Sequence, residues 1–455
     1  MYESDAGLLA PGRVGSPAET ATGDLAFLQA MLDAEAALTR AHCACGLAPA
    51  RAGQAVTAAA VAGRFDVRDV ALRAPASGNP VTPLVADLVA AVDEDVRPYV
   101  HRGASSQDIL DTAAMLVATR ALAPVLDDLG RSAEAVARLA AAHRNTPMPG
   151  RTLTQQAVPT TFGLKAAGWR ALLLDARDRL TAVRGTLPVQ LGGAAGTLAV
   201  FDVFTPVRAA DAAGAEPRGP AMLRAFADEL GLAEPLLPWS SLRTPIADLA
   251  GALAFTAGAL GKVAADVLTL SRTEIGEVSE GKGGGSSTMP HKSNPVRATL
   301  MAAAARRAPG LAATLYGSLA ADDERPAGPW HAEWEPLREL LRLVGGAAHD
   351  AAELTEGLRV VPYAMWENLQ RTDGLIVSER LAAVFAERIG RRRAKEVLLN
   401  AAARARAETA DLGDVLGDML DEEPELAGLD LSDLTEPARY TGCAGLLTDR
   451  ALERE

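Results

Sequence analysis

The stretch Gly285-Ser-Ser-Thr-Met-Pro-His-Lys-Ser-Asn-Pro295 holds the residue types from which proton transfer at carbon can be built. It offers three hydroxyls in a row, Ser286, Ser287 and Thr288, then Lys292 and Asn294. A free serine is far too weak a base, so it moves a proton only where amides and a cation hold its alkoxide. The preceding Gly281-Lys-Gly-Gly-Gly285 supplies φ freedom and lets backbone N–H groups converge on an anion. No Gly-Lys-Ser/Thr occurs at P-loop spacing, so the loop does not read as a nucleotide cradle. A surface linker is the bland alternative for any Gly/Ser tract. The ordered run of hydroxyls, lysine and asparagine argues against it.

Two other segments look made for the same site. His101-Arg-Gly-Ala-Ser-Ser-Gln-Asp108 is compact, polar and leads into a helical run from near Gln107. Ser105 or Ser106 taken alone is best read as a helix cap, and the exposed amides there can equally hold a carboxylate. Gly150-Arg-Thr-Leu-Thr-Gln-Gln-Ala-Val-Pro159 brings Thr152, Gln155 and Gln156 to the entrance of another helical run.

Long helices must position these segments. The chain of 455 residues is 49% hydrophobic but only 4% aromatic, and alanine is abundant, which favours helices packed closely through small side chains. Ile246, Leu249, Leu253, Thr256, Leu260, Val263, Val267 and Leu270 repeat at three-four spacing, with Thr244-Pro245 as cap and first turn. Phe162, Ala166, Trp169, Leu173, Ala176, Leu180 and Val183 form a second such run. Pro124 predicts a kink inside a third. Strand patterning is almost absent. Loops at 146–151, 192–196, 216–220 and 281–295 break the central region, and the organisation predicts units at 1–106, 107–355 and 356–455. Amphipathic segments follow at 373–389 and 393–412, and Asp414–Glu425 reads as a solvated acidic loop.

A net charge of −13 excludes a nucleic-acid footprint and binding to an anionic membrane surface. An anionic substrate therefore needs a local cationic pocket. The three cysteines, Cys43, Cys45 and Cys443, lack zinc spacing and read as buried inert thiols. The N-terminus shows no export signal, and the longest apolar stretch, 249–261, is too short and too rich in Gly and Ala for a membrane span. A cytoplasmic protein is expected, with no metal and no nucleotide cofactor.

Together the three segments resemble the motif regions of the fumarase/aspartase superfamily, in order and spacing. Within it the likeness is nearest to the 3-carboxy-cis,cis-muconate cycloisomerases. It extends over Leu28–Leu38, Gly78-Asn-Pro80, Gln156–Trp169, Gly192-Gly-Ala-Ala-Gly-Thr-Leu198, Trp330-His-Ala-Glu-Trp334 and Pro437-Ala-Arg-Tyr-Thr-Gly442. The resemblance implies an all-α subunit of three domains with a long central helical bundle. Four subunits would merge in a homotetramer with a twenty-helix core, each active site drawing its segments from three chains.

The same resemblance implies residue roles. Ser286 matches the serine that exchanges a proton with the carbon α to a carboxylate. Lys292 and Asn294 match the residues holding that carboxylate as an enediolate-like dianion. Asn79, Arg102, Ser105, Ser106, Thr152, Gln155, Gln156, Ser287 and Met289 match positions around the carboxylate pockets, and His101 could supply a proton. Fumarases and argininosuccinate lyases carry a histidine where this chain has Leu153, and leucine cannot assist a leaving group. A carboxylate, with a conjugate acid of pKa about 4, departs without protonation at neutral pH. Leu153 therefore suits lactonisation, and equally an anionic nitrogen leaving group such as nitrite. Ser293 replaces the larger polar or basic side chain usual in the cycloisomerases. His143 and His349 read as solvated helix residues, and His291 and His331 as structural ones.

The leading expectation is a cofactor-independent cycloisomerase acting on a small anionic polycarboxylate, 3-carboxy-cis,cis-muconate, and forming a carboxymuconolactone. The runner-up is a succinate-type C–N lyase releasing fumarate. A non-catalytic structural homologue is the third reading, against which Ser286, Lys292 and Asn294 speak together.

Overall fold

Apolar side chains that recur every three or four residues fold here as the helices their spacing predicts. The computed structural model describes residues 6–204, 217–281, 284–285, 289, 292–420 and 423–454. Among these, seven helices exceed twenty residues: α1 (Asp24–Ala44), α2 (Ser106–Ala142), α3 (Phe162–Arg184), α4 (Thr244–Leu270), α5 (Val296–Gly317), α6 (Pro329–Gly357) and α7 (Ser378–Glu408). α3 begins at Phe162, where its repeat starts, and α4 begins at Thr244, two residues ahead of the first member of its repeat. α2 continues through Pro124 to Ala142, so the proline does not end it. Strand is confined, among the described residues, to three antiparallel ribbons. They are β1 (Pro147–Thr152) with β2 (Gln155–Thr161), β3 (Val278–Ser279) with β6 (Arg359–Val360), and β4 (Gly284–Gly285) with β5 (Ser293–Asn294).

By its internal contacts the chain divides into two units. The first comprises residues 1–129, 175–261 and 300–350. Its core gathers Leu32 and Leu38 of α1 with Leu84, Leu88, Phe201 and Phe226, all fully buried. Each such side chain contributes about 1.5–3 kcal/mol through burial. Small residues set the spacing: a Cβ on Gly261 of α4 would lie 2.4 Å from the Cβ of Ala305 on α5.

A charged cluster is built into the same unit. Arg243, only 1% exposed, sends paired bonds to Asp111 (2.7 and 3.0 Å) and to Glu333 (2.6 and 3.0 Å). The Trp330 indole N–H donates to Asp111 at 2.9 Å. Asp111 is in the second turn of α2, Glu333 in the second turn of α6, and Arg243 directly precedes α4. One guanidinium thus fixes the starts of three long helices, with bidentate geometry that lysine could not supply.

The second unit comprises residues 130–174, 262–299 and 351–455. Its C-terminal core packs Leu381, Phe385, Val397, Leu416 and Leu426. α7 holds a break at Gly390 (φ 73°, ψ 154°), which separates the two amphipathic segments read from the sequence. The expectation for Asp414–Glu425 needs correction: residues Leu412–Leu420 are helical, Val415 and Leu416 are buried while Asp414 and Asp418 face outward, and Glu423 is buried against Arg393. The cysteines also differ from expectation, since Cys43 and Cys45 are half-buried and Cys443 is exposed. α2 and α4 are long and apolar enough to cross a membrane, but 67% and 50% of their most apolar windows are buried in the protein itself.

Candidate active site

The first segment lies in the first unit as a turn ahead of α2. Ser105 and Asp108 exchange bonds: the Ser105 amide donates to Asp108 Oδ2 at 2.7 Å, and the Asp108 amide to Ser105 Oγ at 3.2 Å. This is a capping box with aspartate at the third helical position. Asp108 also accepts from the amides of Gly192 (2.9 Å) and Gly193 (3.0 Å) and from the Gln190 side chain (3.2 Å). Burial raises its carboxyl to about 6, although the amides of Ser105, Gly193 and Gly192 pull the other way. The Gly192–Leu198 stretch is thereby tied to the Ser105 turn by one carboxylate.

The two serines therefore differ. Ser105 is engaged in the cap, while Ser106 Oγ accepts from the Arg325 guanidinium at 3.3 Å. Arg325 lies ahead of α6 and places a positive charge beside Ser106. His101 stands at φ 54°, with Nδ1 2.6 Å from Glu35 Oε1. Arg102 does not project as a free cation: it donates to Leu47 O at 3.0 Å and stacks 3.8 Å over the Phe204 ring. Asn79 is buried and caps the following helix, its Oδ1 accepting from Val81 and Thr82 amides at 3.0 and 3.2 Å. His331 meets Trp330 edge-on, with ring centroids 5.1 Å apart, and lies tilted against Trp334 at 4.8 Å.

The second segment is the β1–β2 hairpin of the second unit. Thr152 pairs with Gln155, so Leu153 and Thr154 alone form the turn, at φ 48° and 70°. Both lie in the left-handed region, where non-glycine residues cost roughly 1–2 kcal/mol each. Leu153 at this tip is 96% exposed, and Thr152 and Gln155 are exposed beside it. The hairpin body is anchored: Arg151 pairs twice with the buried Glu277, at 3.0 and 2.6 Å. Asn368 donates to Glu277 at 2.8 Å, and the Gln156 amide donates to Asn368 O at 2.9 Å.

The third segment is framed by the β4–β5 ribbon, in which Gly284 pairs with Asn294 and Gly285 with Ser293. Ser286, Ser287 and His291 lie outside the described residues. Lys292 is exposed, and its amide donates to the carbonyl of Met289 at 3.0 Å; Met289 is 40% exposed. The loop glycines serve close approach here, in addition to the amide freedom expected of them. A Cβ on Gly281 would stand 2.4 Å from Gly357 O, and one on Gly284 would stand 2.4 Å from Val296 Cγ2. Glu280 completes the base by accepting from the Ala298 amide at 2.9 Å in the first turn of α5.

The first unit thus collects His101, Ser105, Ser106 and Asn79, with Arg325 added. The second carries Thr152, Gln155 and Gln156 on one hairpin and Met289, Lys292 and Asn294 around one loop. Sequence reasoning missed Arg325, Glu35 and Glu277. Arg325 had a usable signal, being a cation five residues ahead of the Trp330–Trp334 motif.

Residues 17–310 match the model of the Lyase family. The chain belongs to that family, within the fumarase/aspartase superfamily, and is an enzyme of it. It is 50% identical to nitrosuccinate lyase from Streptomyces davaonensis, over 98% of this chain and 94% of that one. It is 42% identical to 3-carboxy-cis,cis-muconate cycloisomerase from Pseudomonas aeruginosa, over 96% and 94%. The solved 3-carboxy-cis,cis-muconate lactonizing enzyme from Pseudomonas putida superposes with a TM-score of 0.88 at 38% identity, covering 96% of both chains.

Proposed function

We propose that this protein eliminates nitrite from nitrosuccinate to give fumarate. The observation that carries this reading is the 50% identity to nitrosuccinate lyase along nearly the whole chain. The hairpin tip agrees with it chemically. Leu153 and Thr154 offer no titratable group, and nitrite, a weak base, leaves without one.

In this reaction the Ser286 alkoxide removes a proton from C3. Lys292 and Asn294 hold the adjacent carboxylate while it carries the developing enediolate charge. The C2–N bond then breaks with its electron pair leaving on nitrite, and the C2–C3 double bond forms. The proton passes from Ser286 to solvent, so one nitrosuccinate yields one fumarate, one nitrite and one proton. Ser106 and Arg325 receive the second carboxylate. A homotetramer in which neighbouring subunits bring the exposed Leu153 hairpin and the Ser286 loop to the Ser106 turn would complete the site.

Lactonisation of 3-carboxy-cis,cis-muconate is the second reading, supported by the 42% identity to a cycloisomerase. Purified protein incubated with each substrate separates the two, with fumarate followed by ultraviolet absorbance and nitrite by diazo coupling. A kcat/KM at least ~100-fold higher on nitrosuccinate is expected, a ratio that binding differences at polar groups can reach. A preference for the muconate overturns the proposal. Ser286→Ala should lower turnover at least ~10³-fold on the true substrate, the scale of losing a proton-transfer group.

A further inference from the structure

Glu35 is a carboxylate in the middle of α1 with no solvent exposure, surrounded by alanines and leucines of the first unit's core. Such a group is costly unless a cation answers it. Its Oε1 lies 2.6 Å from His101 Nδ1, and its Oε2 has no hydrogen-bond partner among the described residues. His101 reaches it from a backbone at φ 54°, a conformation that costs roughly 1–2 kcal/mol for a side chain with a Cβ. The same imidazole keeps 22% of its side chain exposed, on the turn that carries Ser105 and Ser106. A strained residue has been turned so that one ring nitrogen is buried on a carboxylate while Nε2 makes no hydrogen bond among the described residues.

We propose that Glu35 is a positioning residue that holds His101 as an imidazolium, and that His101 anchors a substrate carboxylate beside Ser106 and Arg325 and transfers no proton. The proposal rests on the reading that a dicarboxylate binds at this turn. Burial alone would push the His101 imidazole down. Glu35, by charge and by hydrogen bond, and Asp108 on α2 more than reverse this, so it titrates above its ordinary value. Arg102, next in the chain, has its guanidinium turned onto Phe204 and Leu47. A leaving group that needs no acid leaves His101 free for binding.

Two measurements test this. Diethyl pyrocarbonate acylates only neutral imidazole, so the rate at the His101 peptide against pH, read by mass spectrometry, gives its midpoint. That midpoint should lie above the ordinary value of about 6.5 in the wild type and fall in Glu35→Gln. In steady-state kinetics, Glu35→Gln and His101→Gln should each raise KM about tenfold at pH 7.5 with kcat within about threefold, the mark of lost uniform binding. The double variant should be no worse than His101→Gln, because Glu35 acts through His101. An unmoved midpoint overturns the proposal, as does a loss confined to kcat, which would make His101 a proton donor. If Glu35→Gln does not fold, His101→Gln alone decides between the KM and kcat outcomes. Should the muconate prove to be the substrate, the proposed function fails, while the same comparison run on the muconate still decides the role of His101.

Discussion

The turn ahead of α2 and the tip of the β1–β2 hairpin both carry candidate site residues, and they are held in opposite ways. At Asp108 the turn is saturated. Asp108 accepts from three backbone amides and a glutamine side chain, and Arg243, one layer below, is bonded to two buried carboxylates. The hairpin is anchored at its body through Arg151 and Glu277, yet its tip is a pair of non-glycine residues in left-handed conformation with Leu153 almost wholly exposed. Where a buried carboxylate such as Asp108 has its donors in place, geometry is fixed by the local structure. At the tip, strain and apolar exposure occur together, and the local structure leaves Leu153 in solvent.

The strongest way to break the comparison is to attack the saturated side. Arg243→Met leaves Asp111 and Glu333 buried together without their guanidinium and should cost about 3–5 kcal/mol, measured by denaturant unfolding. A loss under ~1 kcal/mol would show that the cluster does not set the frame.

Asp108 gives a pH-dependent test. Its folded-state value of about 6 lies above the ordinary 3.8, so its contribution to stability is full below the latter and is lost as pH rises through the former. The difference in Tm between wild type and Asp108→Asn should therefore fall, in the wild type's disfavour, from pH 4 to pH 6.5 and stay flat above pH 7. A difference that grows in the wild type's favour over that range would contradict the assignment.

On the strained side, Thr154→Gly should stabilise the subunit, by about 1 kcal/mol, because glycine accepts φ 70° without penalty. Thermal unfolding reads this directly. Destabilisation would mean that the turn is not strained, and the contrast between the two regions would weaken.

Local patterns were legible from the start. The repeats of α3 and α4 encode their own faces, and the break near residue 390 separates two amphipathic runs. The acidic stretch from Asp414 misled because charge hid Val415 and Leu416, whose burial is decided by helices elsewhere. The two serines of the turn were equivalent on paper, and a partner 219 residues away distinguishes Ser106 from Ser105.

Sequence alone determined the helical class and the family, because each is written in residues adjacent along the chain or repeated at helical spacing. Tertiary structure alone decided which charges meet: Glu35 with His101, Arg243 with Asp111 and Glu333, Asp108 with the amides of Gly192 and Gly193. Coulomb and hydrogen-bond energies depend on distance in space and on burial, and neither quantity is a function of separation along the chain.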